Sequence, residues 1–578
     1  MEMEAANSSY ILGALALNQA NQQLLPHFGE AESFFNAALT FYDQSEMRRQ
    51  AADTHFMLAR LYTNAAQQIQ LAVREQMIQA ALEHLTAGEA NYDAIRRDFY
   101  AGSALAAQAS KQEIIRQSHR LYELALEILL IVAPRIVTEG VPGVEVAWQW
   151  VQRAKARALN DTLGMAAVVP ARILSELQQY PNALALFEQE REIATLLAAA
   201  SAGEKAELRG RLAAVRDQMA EAEHLADYLD MRNGVAFDLT DVASTFSVEA
   251  DRPCVCVDWV EVNGALWLFL MRPVGEIKVR RLEVRSQTVQ TFVANNLGRE
   301  SFRATLRDDP EMLGEMDGLV APLAELTQAG ELLTLSPTGA MNALPLHALT
   351  VEEQCLIERN PVVYCPSLTV LRQCLARADV REVSRVALFG DPGGDRPAAA
   401  ELVRELSDRY DTPYLSQDQV TRSAFSEAIR DSDLVHFQGH AVHESGDPLS
   451  SYLMLADGKL TARDIFGLVG LRADLVTLAA CESAANVIEV GDEPLGLIPS
   501  FLFAGSQAVL ASLWKVNSKV AADFMRYFYA GIEGMQVSDD SPVNKAEAVR
   551  QAMLRVRKNP RYEAPYYWAP FVLNGDWH

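Results

Sequence analysis

Four short apolar segments in the C-terminal part of the chain constrain its fold more than any other feature. They occupy residues 386–389, 434–437, 475–478 and 509–513, and each ends in a turn. Helical sequence separates them. Continuous apolar strands that alternate with helices are typical of a parallel sheet covered on both faces. In such sheets the reactive side chains collect where the carboxyl ends of the strands emerge, so the pattern predicts an α/β region with its site at that edge.

Two of these segments lead to a histidine and a cysteine. His440 follows the segment 434–437, and Cys481 follows the segment 475–478. If the two strands are parallel neighbours, both side chains emerge at one edge of the sheet. A thiol with a reference pKa of about 8.5 needs a base beside it to act as a nucleophile, and histidine supplies one. Each residue alone is more typical of packing, but their joint placement predicts a catalytic pair.

Two rival sites lie close to this pair in the sequence. His436, His440 and His443 form a histidine-rich stretch, but no acidic or cysteine ligand stands at a spacing typical of catalytic zinc. The segment 390–395 follows a strand as phosphate loops do, yet it lacks the glycine and lysine spacing of such loops and is interpreted as only a turn. We therefore predict neither a metal nor a cofactor.

Charge and cysteine content narrow the classes of partner and compartment. The chain has 51 Lys and Arg against 76 Asp and Glu, a formal charge of −25, which opposes direct nucleic-acid binding and binding to anionic membranes. Its 6 cysteines include no CxxC pair, which disfavours a disulfide scaffold or a zinc ribbon. The acidic start lacks the features of a signal peptide, and the uncharged segment 495–514 is interpreted as a buried helix followed by a buried strand. A cytoplasmic, reducing location is the expectation.

Residues 1–165 are rich in Ala, Leu, Gln and Glu, which predicts successive helices. Similar segments recur at 36–42, 79–85 and 123–129, and the segment 54–62 has the small and aromatic spacing of the first helix of a tetratricopeptide repeat. Their offset exceeds the standard 34 residues, so the similarity is to a degenerate repeat with longer helices. Stacked helix pairs leave a concave surface for a partner. A plain helical bundle with a scaffolding role is the alternative.

The sequence pattern changes twice beyond residue 165. Residues 166–245 predict a helical hairpin interrupted near Gly203. Alternating apolar residues on both sides of Asn263 and Gly264 then predict a β-hairpin. Helical sequence is expected from there to about residue 328, followed by a buried strand at 332–335.

Four motifs carry a resemblance to a known family. DLVHFQGH at 433–440, LAACES at 478–483, ASLWKV at 511–516 and WAPF at 568–571 closely resemble the CHAT peptidases, whose caspase-like domains commonly follow tetratricopeptide repeats. The resemblance implies an α region followed by a caspase-like α/β sandwich with a mainly parallel central sheet. The implied domains are repeat-like helices at 1–165, a helical hairpin linker at 166–245, a pseudo-caspase-like half at 246–375 and a catalytic half at 376–578. His440 and Cys481 fall on the family's catalytic dyad.

The resemblance also implies an oxyanion hole built from backbone amides near Gly439, Ala441 and Cys481. Many members have glycine at the position of Ala441, and alanine lacks the freedom of glycine at positive φ. Asn517 stands where the tryptophan motif of the family often ends in aspartate. Beside the thiol, the carboxylates of Glu482, Asp492 and Glu493 predict a substrate pocket that favours a basic or neutral side chain over aspartate. The alternative is that they cap a helix or lie on a loop.

These observations predict a caspase-like cysteine endopeptidase that cleaves a protein substrate. Its helical repeats would control it by binding a regulatory protein or ribonucleoprotein partner. By resemblance the setting is bacterial defence, alongside a CRISPR effector or a pore-forming substrate. A repeat-built adaptor with an inactive peptidase domain is the main alternative, and a metallohydrolase is a third.

Overall fold

The structure is a computed structural model. It describes residues 2–20, 24–69, 71–101, 108–138, 140–165, 174, 177–200, 204–225, 229, 235–246, 254–273, 277–297, 306–376, 383–444, 448–468, 471–479, 487–488, 494–515, 517–534 and 544–578. The chain forms two compact units. The first comprises Met1–Ala167 and Tyr180–Ala236, and the second comprises Val168–Gln179 and Phe237–His578.

The first unit consists mainly of helices, as its Ala- and Leu-rich sequence predicts. In chain order they are α1 (Glu2–Ala20), α2 (Leu24–Gln44), α3 (Arg48–Ala66), α4 (Leu71–Ala101), α5 (Gln108–Glu127), α6 (Gly143–Met165), α7 (Pro181–Ala199) and α8 (Lys205–Glu221). A π-helical turn (Ile128–Val132), a short strand pair of β1 (Val137–Thr138) and β2 (Val141–Pro142), and a 3₁₀ turn (Glu223–Leu225) complete its described elements. Helices α7 and α8 pack against each other within this unit.

Small side chains allow these helices to approach closely. Helix α3 packs against both α2 and α4. Ala52, Ala59 and Ala66 of α3 are fully buried, together with Leu58 and Leu61. Because alanine contributes little bulk, the helix axes come near each other and the larger side chains fill the remaining space. The recurring segments of the sequence therefore lie in the closely packed part of the unit.

The second unit contains both strands and helices. Its strands are β3 (Cys254–Val262), β4 (Ala265–Met271), β5 (Lys278–Arg285), β6 (Leu332–Ser336), β7 (Thr350–Val351), β8 (Gln354–Cys355), β9 (Val362–Tyr364), β10 (Val386–Gly390), β11 (Tyr414–Ser416), β12 (Leu434–Gln438), β13 (His440–Val442), β14 (Tyr452–Leu455), β15 (Gly458–Thr461), β16 (Leu475–Leu478), β17 (Val487–Ile488), β18 (Pro494–Leu495), β19 (Ala508–Ser512) and β20 (Phe571–Gly575).

Its α-helices are α9 (Leu239–Phe246), α10 (Ser286–Phe292), α11 (Leu323–Leu326), α12 (Leu356–Arg359), α13 (Leu368–Leu375), α14 (Pro397–Tyr410), α15 (Arg422–Ala428), α16 (Ala462–Phe466), α17 (Leu497–Ala504), α18 (Ser518–Gly534), α19 (Lys545–Arg557) and α20 (Pro565–Trp568). Shorter 3₁₀ segments are Pro310–Leu319, Gly339–Ala343, Leu346–Ala348, Gln417–Gln419 and Pro448–Ser450, and Val293–Leu297 is a π-helical turn.

The predicted hairpin is present, and a third strand extends it. Strands β3 and β4 pair antiparallel across Asn263 (φ 51°) and Gly264 (φ 75°), the two positive φ angles of a type I′ turn. Strand β5 then pairs antiparallel with β4, so the expectation of helix throughout this stretch was wrong. The alternation of apolar and charged residues in β5 is interrupted by two successive arginines, Arg280 and Arg281. The pairing of β5 with β4 also contains a register shift. This irregularity hides the two-residue period of an edge strand.

Among the described residues, eleven strands form one mixed sheet in the order β11-β10-β12-β16-β19-β20-β9-β6-β3-β4-β5. Strands β11, β10, β12, β16 and β19 run parallel to one another. Strands β20, β9, β6 and β3 are also mutually parallel, but β19 and β20 pair antiparallel. The two parallel groups therefore point in opposite directions, and their carboxyl ends lie at opposite edges of the sheet.

The fold class expected from the sequence, an α region followed by α/β with a mainly parallel sheet, is confirmed. The four apolar segments form β10, β12, β16 and β19, whose side chains are almost entirely buried. The uncharged segment 495–514 contains the buried helix α17 followed by the buried strand β19. In the described part of the chain, no helix combines the length and the apolar character needed to cross a bilayer.

Candidate active site

The strand order creates a crevice between β10 and β12. The chain continues from β10 to β11 on one side and then crosses to β12 on the other side of β10. Ligands of doubly wound sheets bind at such a switch point, outside the carboxyl ends of the strands. The segment 391–396, which follows β10, and the segment 439–441, which follows β12, therefore flank the same crevice.

Asp391 joins these two segments. Its backbone N–H donates to the carbonyl oxygen of Gln438 at 2.8 Å, immediately after β10 and at the end of β12. Its buried carboxylate accepts the backbone N–H groups of Asp395 at 3.0 Å and Arg396 at 2.8 Å. Asp391 has a φ of 48°, a left-handed conformation that aspartate tolerates better than most residues. The turn is therefore held against β12 and its last two residues are fixed.

Gly439 allows the turn to approach β12 closely. A β-carbon at this position would lie 2.8 Å from Cζ of Phe437 and 3.0 Å from Cδ of Pro392. Real Cβ atoms essentially never come within 3.0 Å of another group, so any larger residue requires the turn or the ring to move. The glycine places His440 directly beside the turn.

Two residues of the turn contact the His440 ring. Nε2 of His440 lies 3.0 Å from both Oδ1 and Oδ2 of Asp395. Nη2 of Arg396 lies 3.0 Å from Nδ1 of His440, and Nε of Arg396 lies 3.3 Å from Nε2. The side chain of His440 is 37% exposed and that of Asp395 is 60% exposed. The hydrogen bond from His440 holds the pKa of Asp395 below its usual range, so this carboxyl is ionised near neutral pH.

A buried polar network crosses β12 and β16. Nδ1 of His436 lies 2.9 Å from Oγ1 of Thr477 and 3.0 Å from the hydroxyl of Tyr529. Thr477 also donates to the carbonyl oxygen of Val435 at 3.1 Å. Burial lowers the pKa of His436 to about 4, so the ring is neutral. His436 thus stabilises the inside of the sheet.

The third histidine of the stretch has another environment. Nδ1 of His443 lies 3.3 Å from Oγ of Ser451. His436, His440 and His443 therefore have different hydrogen-bond partners. Within the described ranges, no group of three or more His, Cys, Asp or Glu side chains is arranged to hold a metal ion.

Several predicted site residues lie outside the described residues. These are Cys481 and the three acidic residues of the predicted substrate pocket, Glu482, Asp492 and Glu493. The predicted nucleophile follows β16, which pairs in parallel with β12. The remaining predicted residues, Gly439, His440 and Ala441, are described.

The two departures from the family pattern have simple local settings. Ala441 is buried in β13 opposite Leu453 of β14, and it does not occur among the described residues with positive φ. Alanine therefore fits this backbone without strain. Oδ1 of Asn517 accepts the backbone N–H of Lys519 at 2.9 Å at the start of α18. Aspartate and asparagine both fill that capping role, so the helix start does not require a carboxylate here.

Sequence reasoning missed Asp395 and Arg396. The segment 390–395 ends in a turn, as the sequence predicts, but the end of this turn also contacts the predicted catalytic histidine. The available signal was its place directly after a buried parallel strand. This position indicates a contact with His440 only when β10 is known to pair with β12, and the sequence alone does not predict that pairing.

Comparison with known proteins identifies the domain that contains this crevice. The sequence profile of the CHAT domain matches residues 316–576. Tetratricopeptide repeat protein 28 of Homo sapiens is 23% identical over 288 residues, which are 41% of this chain and 11% of the human protein. The Mus musculus protein of the same name is 30% identical over 118 residues, 20% of this chain and 4% of the mouse protein. The chain thus spans a small part of the length of these relatives.

Solved structures show more distant similarity. Two crystal structures of the Saccharomyces cerevisiae separase–securin complex resemble 94% and 99% of this chain, with TM-scores of 0.46 and identities of 10% and 11%. The similarity covers 53% and 46% of the matched chains. The Arg-specific cysteine proteinase gingipain R resembles 51% of this chain and 68% of its own, with a TM-score of 0.33 and 9% identity.

The family expectation from the sequence is confirmed by the profile match and the curated relatives. The match begins at residue 316, inside the region predicted as the pseudo-caspase-like half, and continues through β20. It includes both segments that flank the crevice. Residues 316–576 match the CHAT domain, and part of this chain is similar to tetratricopeptide repeat proteins.

Proposed function

We propose that this protein is a cysteine endopeptidase in which His440 is the general base and Cys481 is the nucleophile. The observation that carries the proposal is the parallel pairing of β12 with β16. His440 follows the first strand and Cys481 follows the second, and the carboxyl ends of parallel neighbours meet at one edge of a sheet. His440 is partly exposed at that edge, and the carboxylate of Asp395 holds its ring.

The proposed reaction uses side chains, backbone amides and water. The proton of Cys481 moves to the His440 imidazole as Sγ attacks the carbonyl carbon of the scissile bond. Backbone N–H groups near Gly439, Ala441 and Cys481 stabilise the negative oxygen of the tetrahedral intermediate. The imidazolium then protonates the departing amine, which leaves a thioester. Water activated by His440 hydrolyses this thioester and regenerates the thiol.

A matched pair of cysteine variants tests the proposal. Cys481→Ala is expected to abolish cleavage of a proteome-derived peptide library, measured by mass spectrometry, whereas Cys355→Ala retains it. Cys355 is a suitable control because burial raises its pKa to about 11, which suppresses its thiolate at neutral pH. Full activity of a folded Cys481→Ala variant would refute the proposal.

An adaptor without peptidase activity is the second candidate. It is favoured by the tetratricopeptide repeat proteins among the relatives and by the packed helices of the first unit. An electrophilic peptide probe separates the two functions. Selective labelling of Cys481 over the five described free cysteines supports the peptidase, and uniform or absent labelling supports the adaptor.

We further propose that the helical unit regulates the peptidase by binding a regulatory protein or ribonucleoprotein. Helix stacks present surfaces suited to such partners. The setting in bacterial defence rests on the family resemblance. A pull-down with the inactive Cys481→Ala chain, followed by mapping of cleaved partners with the active chain, tests both. A cytoplasmic location is proposed because the described cysteines are all free thiols.

A further inference from the structure

The hydrogen-bonding chemistry of the three side chains at the crevice constrains the protonation of His440. An ionised carboxylate only accepts hydrogen bonds, and a guanidinium only donates them. Nε2 of His440 lies 3.0 Å from both carboxylate oxygens of Asp395, so it must carry the hydrogen. Nη2 of Arg396 lies 3.0 Å from Nδ1, and a guanidinium offers no acceptor to a hydrogen on that nitrogen. These three contacts agree on one neutral tautomer.

One longer contact does not fit this tautomer. Nε of Arg396 lies 3.3 Å from Nε2 of His440, and it would need a lone pair on that nitrogen. The two carboxylate oxygens are nearer and share a full negative charge. They therefore favour the tautomer in which Nε2 carries the hydrogen. Nδ1 is then the basic nitrogen of the ring.

We propose that Asp395 is the positioning residue of His440: its carboxylate holds Nε2–H and so leaves Nδ1 as the nitrogen that takes the thiol proton. This inference rests on the proposed function and adds a third residue to the histidine and cysteine. Asp395 orients the imidazole and stabilises the imidazolium, but it keeps its own charge throughout. The thiol proton goes to Nδ1, and the hydrogen on Nε2 stays between the ring and Asp395.

The backbone around Asp395 supports this role. Asp391 accepts the N–H groups of Asp395 and Arg396, and its own N–H is bonded to Gln438 at the end of β12. The carboxylate of Asp395 is therefore carried on a turn fixed to the strand that delivers His440. A β-carbon at Gly393 would lie only 3.8 Å from Cδ2 of His440, so this turn lies directly against the ring. Such support is what a precise positioning contact requires.

The rate at which iodoacetamide alkylates Cys481 tests the inference without a known substrate. We expect Asp395→Asn to lower this rate about 10-fold or more, because the ring loses its preferred tautomer, as with other base-orienting carboxylates. Asp395→Glu should restore part of the rate. Asp408→Asn, an exposed carboxylate on α14, is the matched control and should leave it unchanged. ¹⁵N shifts of His440 should report Nε2–H in the native chain and a tautomer mixture in Asp395→Asn.

The outcomes separate this inference from the proposed function. If His440→Ala slows alkylation and Asp395→Asn does not, the role of Asp395 is wrong and the proposed base remains. If His440→Ala leaves the alkylation rate of Cys481 unchanged, the proposed function itself is wrong. A slow Asp395→Asn variant that Asp395→Glu fails to rescue, with unchanged ¹⁵N shifts, would also overturn the positioning role.

Discussion

The backbone N–H of Asp391 donates a hydrogen bond to the carbonyl oxygen of Gln438 at 2.8 Å. This single bond connects the ends of two parallel strands on either side of the switch point. It brings a turn with an aspartate and an arginine against the histidine that follows the second strand. The arrangement of the crevice thus depends on backbone contacts as much as on the side chains that face it.

Replacing Gly439 with alanine should displace this turn. The new methyl group would lie 2.8 Å from the buried ring of Phe437 and 3.0 Å from Pro392. Phe437 cannot move freely because it packs against Phe425, with ring centroids 6.2 Å apart. We expect a folded protein whose Cys481 alkylation rate falls several-fold. Gly314→Ala, where the nearest group is 3.6 Å away, should have no effect. Equal rates in both variants would contradict the predicted displacement.

Removing Arg396 should free the basic nitrogen of His440. Nη2 of Arg396 lies 3.0 Å from Nδ1, the nitrogen that takes the thiol proton in the proposed reaction. We therefore expect Arg396→Ala to increase the alkylation rate of Cys481 several-fold in the isolated chain. Arg422→Ala, which removes an exposed arginine paired with Asp464, is the control. A slower rate in Arg396→Ala would show that the arginine assists the reaction instead of blocking the base.

Lys545 should be essential for the stability of the second unit. Its buried Nζ lies 2.7 Å from Asp474 and 2.9 Å from Asp576, and Asp576 is also buried. Lys545→Met removes the buried cation of both aspartates and leaves the buried Asp576 only its contacts with His578, which costs about 3–5 kcal/mol of unfolding free energy. Arg526→Ala, which breaks more exposed ion pairs, should cost no more than about 1 kcal/mol. Urea unfolding measures both, and similar losses would argue against this difference.

Acid should destabilise the first unit through a pair of histidines. Nδ1 of His55 lies 3.0 Å from Nδ1 of His84, and Tyr62, Glu32 and Glu83 surround the pair. Burial, and secondarily His84, lower the pKa of His55 to about 4. The unfolded chain therefore binds a proton that the folded chain does not. Stability is complete above the unfolded pKa of about 6.5 and falls as the pH decreases toward 4, by at most about 3 kcal/mol.

Thermal unfolding of the full chain at pH 7.5 and pH 5 measures this effect. His55→Gln should reduce the pH dependence because the buried imidazole is absent. His27→Gln on α2, a partly exposed histidine, should retain the native dependence. The same pH dependence in native and His55→Gln proteins would exclude His55 as its source.

The proposed peptidase should prefer a basic or neutral residue before the scissile bond. Glu482, Asp492 and Glu493 follow β16 in the sequence, and Asp395 adds an exposed carboxylate beside His440. Like charges in a partly desolvated pocket cost several kcal/mol, so an aspartate should be disfavoured there. A fluorogenic peptide panel that varies only this position measures the preference. Glu482→Lys should weaken cleavage after Lys and Arg, and faster cleavage after Asp by the native chain would contradict the charge argument.

Local sequence patterns predicted the β3–β4 hairpin and the buried strands β6, β10, β12, β16 and β19 of the second unit. Apolar runs of four or five residues became buried strands because a strand covered on both faces has no polar side to show in the sequence. Asn263 and Gly264 produced the hairpin because they accept positive φ angles at low cost. Strand β5 was missed because its alternation is interrupted, and only its pairing with β4 reveals it.

The sequence by itself determined that His440 follows a buried strand, since this depends only on neighbouring residues. Tertiary structure alone decided which strand lies beside it. The chain forms β10, β11 and β12 in succession, yet β10 lies between the other two. That order depends on how helices cover the two faces of the sheet. Such packing joins residues far apart in the chain, so a short sequence segment does not predict it. For this reason the histidine was predictable, whereas its contact with Asp395, on a turn 45 positions earlier, was not.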